Sequence, residues 1–153
     1  MIRSIFRFVS AVTLVFLPAV VARAQTSQPT QTGGVIHIDH VKVDEAFKKG
    51  EVLLVKDNYR IHAGFRDKTG IPEVHASDVD IFYVTEGTAS FVIGGSMVEP
   101  VTIEPGETRG KEIKGGETRK LEKGDIVVIP PNVPHWFKEV SGTFKYFVVK
   151  VRK

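Results

Sequence analysis

The sequence predicts an all-β fold, built as a sandwich or closed barrel. Short segments rich in Val, Ile, Phe and Tyr recur along the chain, each bounded by Gly, Pro or Asp. Their close, regular spacing favours closure, since an open sheet would leave long unpaired edges. There is no cysteine in 153 residues, so packing alone must hold the domain, and any metal ligands must be His, Asp or Glu.

In chain order, residues 1–24 read as a secretory signal peptide: a basic start, "MIRSIFR", an apolar run, "FVSAVTLVFLPAVV", and a small-x-small close, "ARA". The apolar run contains Ser10, Thr13 and Pro18 and is shorter than the roughly 20 residues of a spanning helix. No membrane contact is therefore expected after cleavage, and the destination is a bacterial periplasm or full secretion. Residues 25–34, polar and rich in Gln and Thr, are expected to be a disordered tether. A single domain is expected over 35–153. Its one short helix lies at "VDEAFKKG", with Asp44 as cap, Lys48 and Lys49 at the negative end and Gly50 as stop. His37 and His40 fall before that helix and read as surface histidines.

Strands are expected at "EVLLVK", "YRIHAGFR", "DIFYVTE", "TASFVIGG", "VEPVTIEP", "TRKLE", "DIVVIP", "HWFKEV" and "TFKYFVVKV". Between them, residues 106–120 repeat Gly-Glu-Thr-Arg, at 106–109 and 116–119. An anion clamp from Arg109 and Arg119 is one reading; a solvated hairpin or loop is the favoured one.

Charge excludes one class of function. The chain has 21 Lys plus Arg against 18 Asp plus Glu, but Arg3, Arg7 and Arg23 belong to the leader. The remaining residues balance, so no nucleic-acid footprint is expected.

Two stretches stand out as halves of a site. "IPEVHASDVDIFYVTEG" sets His75 among Glu73, Asp78 and Asp80. Residues 73 and 75 share one strand face, as do Asp80, Phe82 and Val84. Sixty residues on, "KGDIVVIPPNVPHWFKE" places His135 after a loop stiffened by three prolines, with Asn132 where a left-handed residue is expected.

Both stretches resemble the cupin family, small jelly-roll β-barrels. Gly124, Pro130 and His135 match its second motif, G-x5-P-x-G-x2-H, with Asn132 at the second glycine. In the first motif, counting back from Gly87, Asp80 takes the carboxylate position, His75 the second histidine and Glu73 the first. The resemblance implies a cupin jelly roll holding one divalent metal through Glu73, His75, Asp80 and His135. Two nitrogens and up to two carboxylates suit Zn, Mn, Fe, Ni or Cu. Asp80, one methylene shorter than Glu, would bind directly, through water, or as an acceptor orienting an imidazole. Glu73 would serve as ligand or as base. A barrel that has lost its metal is the alternative.

Around that centre, the alternation in "YRIHAGFR" puts Arg60, His62 and Arg66 on one face, toward either a cavity or solvent. Arg60, His62, Phe82 and Trp136 are the candidate pocket residues, and Glu73 and His62 the candidate proton carriers. The expected function is an exported, metal-binding cupin acting on or binding a small organic molecule, by oxygenase, isomerase or lyase chemistry if it is an enzyme. The competing reading is a non-catalytic pocket, metal-free or with a structural metal. A homodimer is the expected protein partner.

Overall fold

The computed structural model describes residues 29–153; the expected leader over 1–24 lies outside them, as do residues 25–28. The described part of the expected tether is a small hairpin, β1 (Thr30–Thr32) with β2 (Val35–His37). Gly33 and Gly34 both have positive φ, the geometry of the two-residue turns that match strand twist. That turn overrides the polar composition.

Helix α1 (His40–Lys49) begins earlier than its sequence suggested. Asp39, not Asp44, is the N-cap: its side chain accepts from the Lys42 amide at 2.9 Å. Ile38 and Val43, just before the cap and in the first turn, both pack on the core beneath the helix and fix its entry. Gly50 ends it in the left-handed conformation, as expected. His40 therefore opens the helix; it and His37 are exposed. Among the described residues no helix is long and apolar enough to cross a membrane.

The rest is β-structure: β3 (Val52–Val55), β4 (Tyr59–Arg66), β5 (Glu73–His75), β6 (Asp78–Ile93), β7 (Ser96–Val98), β8 (Val101–Glu104), β9 (Glu107–Arg109), β10 (Glu112–Lys114), β11 (Glu117–Glu122), β12 (Ile126–Ile129) and β13 (His135–Arg152). The expected pairs at 80–95 and 135–151 are thus two long continuous strands. They run antiparallel and form the spine of one curled sheet, ordered β11-β6-β13-β5-β9-β8. Strand β12 also pairs with β6, and β3 and β4 extend from β13. Strands β7 and β10 form a separate ribbon.

Both long strands must bend to close the barrel. Gly87 sits at the bend of β6 with φ +80°, against the Thr143 carbonyl where β13 shifts register. A Cβ there would collide with that carbonyl, so only glycine fits.

Strict alternation sets the layers. On β6, Asp78, Asp80, Phe82 and Val84 are buried while Ile81 and Tyr83 are exposed. The barrel interior holds Phe82, Val84, Phe91, Ile129, Phe137, Phe144, Tyr146 and Val148. A second cluster, Ala46, Phe47, Leu53 and Ala63, with Ile61 and Phe147 against it, glues α1 to the outer face. The apolar set of β4 therefore faces the helix, which turns Arg60, His62 and Arg66 inward.

Candidate metal centre

One end of the barrel interior is polar, and strand register explains its composition. Directly opposed residues of neighbouring strands share a face and touch. His135 opposes Glu73, Glu73 opposes Arg109, and His75 opposes Glu107. Lys150 stands opposite Asp80 on one side and Arg60 on the other. Curling of β6 and β13 then brings these pairs together around one point.

Glu73, His75 and His135 offer one ligand atom each, all within 4.8 Å of one another. Asp80 faces the same point, its Oδ2 lying 3.3 Å from His75 Nε2 and 3.7 Å from His135 Nε2. The loop before His135 is anchored to the other half: the Asn132 amide donates to the His75 carbonyl at 2.8 Å. Asn132 has φ 66°, the left-handed conformation its sequence position suggested.

The hydrogen bonds fix both imidazole tautomers. His75 Nδ1 lies 2.7 Å from Glu107 Oε2, and His135 Nδ1 lies 3.0 Å from the Val133 carbonyl. Each partner can only accept, so each Nδ1 carries hydrogen and each neutral ring turns its Nε2 lone pair inward. The His135 Nε2 has no hydrogen-bond partner although it is buried, and neither does Asp80 Oδ1. Burial pushes the His135 pKa down to about 4, so the ring stays neutral near pH 7. Inward lone pairs facing carboxylates, with one buried nitrogen unsatisfied, fit a divalent ion of the N/O class.

Cations already balance part of this charge. Arg109 pairs with Glu73. Asp78, against Arg60 at 2.6 Å and Arg152 at 3.5 Å, titrates low despite burial. Lys150 Nζ donates to Asp80 Oδ2 at 2.6 Å and to His75 Nε2 at 2.7 Å. Burial alone would raise the Asp80 pKa, but the charge of Lys150 and its hydrogen bond hold it low. The Lys150 ammonium is itself disfavoured by burial, with Asp80 opposing.

The other sequence candidates divide. His62 lies on the inner face of β4 with its Nε2 buried and unpartnered. Its pKa is lowered by burial and by nearby Lys150 and Arg60. Phe82 is core, its ring 6.3 Å from that of His135. Trp136 is not brought to the cluster: it alternates away from His135 and Phe137 and donates to the Gly70 carbonyl at 2.9 Å. Arg66 lies over the Phe137 ring and donates to the Tyr146 hydroxyl.

Three site residues escaped the sequence reading. Glu107 and Arg109 belong to the first Gly-Glu-Thr-Arg copy, expected to be solvated, yet β9 pairs with β5 and carries both into the centre. The second copy behaves as expected: Arg119 pairs with Glu117 at the surface. Lys150 had a visible signal, since Phe144, Tyr146, Val148 and Lys150 alternate onto the buried face.

The sequence profile of the cupin family (Cupin_1) matches residues 70–153, more than half of the chain. The chain belongs to the cupin family. Acireductone dioxygenase 1 of Pectobacterium atrosepticum is 27% identical over 111 residues, 72% of this chain and 53% of that protein. The chain thus spans about half the length of that curated relative. Among solved structures, a protein of Bacillus halodurans superposes with a TM-score of 0.55 at 13% identity, over 81% of this chain and 86% of its own. A conserved Klebsiella pneumoniae protein with a double-stranded β-helix domain gives 0.53 at 18% identity, over 72% and 86%. Both are similar in fold. This cupin departs from the expected motif chemistry in having Glu73, with its Arg109 partner, and an internal lysine.

Proposed function

We propose that this cupin is exported and holds one divalent metal ion through Glu73, His75 and His135, with Asp80 beside them, to act on or bind a small oxygen-bearing organic molecule. The observation that carries the reading is the inward aim of two Nε2 lone pairs toward two carboxylates, with His135 Nε2 unsatisfied. Such a set is stable only around a cation. A Zn, Mn, Fe, Ni or Cu ion there would supply a Lewis acid for a carbonyl, carboxylate or enolate oxygen. Glu107 and the Val133 carbonyl would keep the imidazoles aimed. Lys56, Arg60, Lys150 and Arg152 line a cavity of about 90 Å³ in which they outnumber Asp57 and Asp78, an excess of positive charge suited to an anionic group. Glu73 or His62 would carry a proton. Likeness to a protein named for dioxygenation of an acireductone supports an enolate-bearing substrate, within oxygenase, isomerase or lyase chemistry.

Elemental analysis tests this on protein recovered from the periplasm with a mass beginning at Gln25. About one equivalent of transition metal is expected in the parent, and far less in His75→Ala and His135→Ala. Sub-stoichiometric metal after metal-replete growth would overturn the site, and recovery only at full mass from the cytosol would overturn export.

A second reading has an observation of its own. Lys150 already supplies a cation to Asp80 and His75, which favours a metal-free pocket that binds its ligand by charge. The same analysis separates the two.

For the expected homodimer, the supporting feature is an apolar strip on the outer face. Ile81 and Tyr83 of β6 lie opposite Val128 and Ile126 of β12, all exposed. Sedimentation equilibrium is expected to give twice the chain mass, and a monomer at all concentrations would remove the homodimer.

A further inference from the structure

We propose that Lys150 is a built-in competitor for the metal: its ammonium occupies the cation position of the unloaded barrel and must withdraw before His75 can ligate. This rests on the metal reading above and adds to it a control on loading.

His75 Nδ1 is committed to Glu107, so the ring has a single remaining lone pair, on Nε2. Lys150 Nζ lies 2.7 Å from that nitrogen and takes the lone pair as a donor. One lone pair serves one cation at a time. The same ammonium holds Asp80 Oδ2 at 2.6 Å, so it also occupies a carboxylate oxygen that lies 3.3 Å from His75 Nε2 and 3.7 Å from His135 Nε2.

Charge adds to the competition. An ammonium and a dication within a few ångströms repel strongly in a poorly solvated interior. Arg109 on Glu73 places a second cation against the ligand set. Loading therefore exchanges cations, whereas a site with an unengaged His75 would only gain one.

The lysine has somewhere to go. Lys150 also lines the cavity of about 90 Å³, where Asp57 and Asp78 stand among Lys56, Arg60 and Arg152. Its long unbranched stem can turn the ammonium toward water there. Strand β13 need not move, because its backbone pairs on both sides, with β4 and with β6.

The test is metal affinity, read by competition with a chromophoric chelator for Zn²⁺ and Mn²⁺ on the folded protein. Lys150→Met keeps the length of the stem without its charge, and Lys150→Gln keeps a polar end. Either variant that folds like the parent by circular dichroism is expected to bind Zn²⁺ at least tenfold more tightly, with a larger metal-induced rise in Tm. Affinity equal to or weaker than the parent's would overturn the proposal. If the parent binds and His75→Ala does not, while the Lys150 variants match the parent, the competitor role fails and the metal site stands. If parent and Lys150 variants all fail to bind either ion, both fall together. Should both Lys150 variants unfold, the parent decides. Rapid exchange-free saturation at the diffusion-limited rate overturns the competitor, and slow loading limited by a unimolecular step supports it.

Discussion

Asp80→Leu, measured in the presence of a chelator, is expected to cost about 3 kcal/mol or more of folding stability, the penalty for leaving a buried charge without its partner. Asp80 is 1% exposed and Lys150 13% exposed, so solvent does little to screen the pair. Removing the carboxylate strands the ammonium between His75 and the aromatic interior. Lys150→Met alone strands the Asp80 carboxylate instead, with His135 Nε2 as an additional unsatisfied neighbour. The combined Asp80→Leu, Lys150→Met protein removes both charges, and apolar replacement of a whole buried pair is often close to neutral. A double-mutant cycle by urea unfolding should therefore show coupling of about 1–3 kcal/mol, with the double variant more stable than the sum of the singles predicts. Simple additivity would show that the two side chains do not form a pair in solution.

That pair also shows where sequence reading reaches its limit. The half-sites were legible because their signals are local. His75, Asp80 and Gly87 lie at fixed spacing on adjoining strands, and Gly124, Pro130, Asn132 and His135 shape one loop. The inward faces followed from alternation: Asp80, Phe82 and Val84 are buried together. Glu107 and Arg109 were not legible, because their identical twins at Glu117 and Thr118–Arg119 face solvent. What separates the copies is that β9 pairs with β5, a long-range register that no local pattern encodes. Lys150 was half legible. Its strand alternates Phe144, Tyr146, Val148, Lys150 onto the inner face, and a lysine ending such a row demands a buried anion. Only the register, Lys150 against Asp80, names that anion. The helix start was misjudged for a related reason: Asp39 and Asp44 are both suitable caps, and packing of Ile38 and Val43 chooses between them.

Acid should destabilise this barrel well before its carboxylates protonate. Stability of the metal-free protein is expected to fall by about 3 kcal/mol as pH drops from about 6.5 to about 4. The group responsible is His135, whose pKa burial pushes down to about 4. In the unfolded chain the same imidazole protonates near 6.5. Between those values the unfolded state binds the extra proton and the native state refuses it, so stability is full above the upper value and is lost on descent. His62, also lowered by burial, acts in the same direction. Asp80, held low by Lys150 against the effect of burial, adds its loss only below the ordinary carboxylate range. Urea midpoints in chelator at about pH 7 and about pH 4.5 should therefore differ clearly. His135→Gln should flatten that difference, since glutamine does not titrate, and it should do so whatever the substitution costs near neutrality. An equal slope in parent and variant would mean that His135 is protonated in the native barrel near its ordinary pKa. Its Nε2 would then be a donor facing Glu73 and Asp80, and the lone pair on which metal binding depends would be lost at mildly acidic pH.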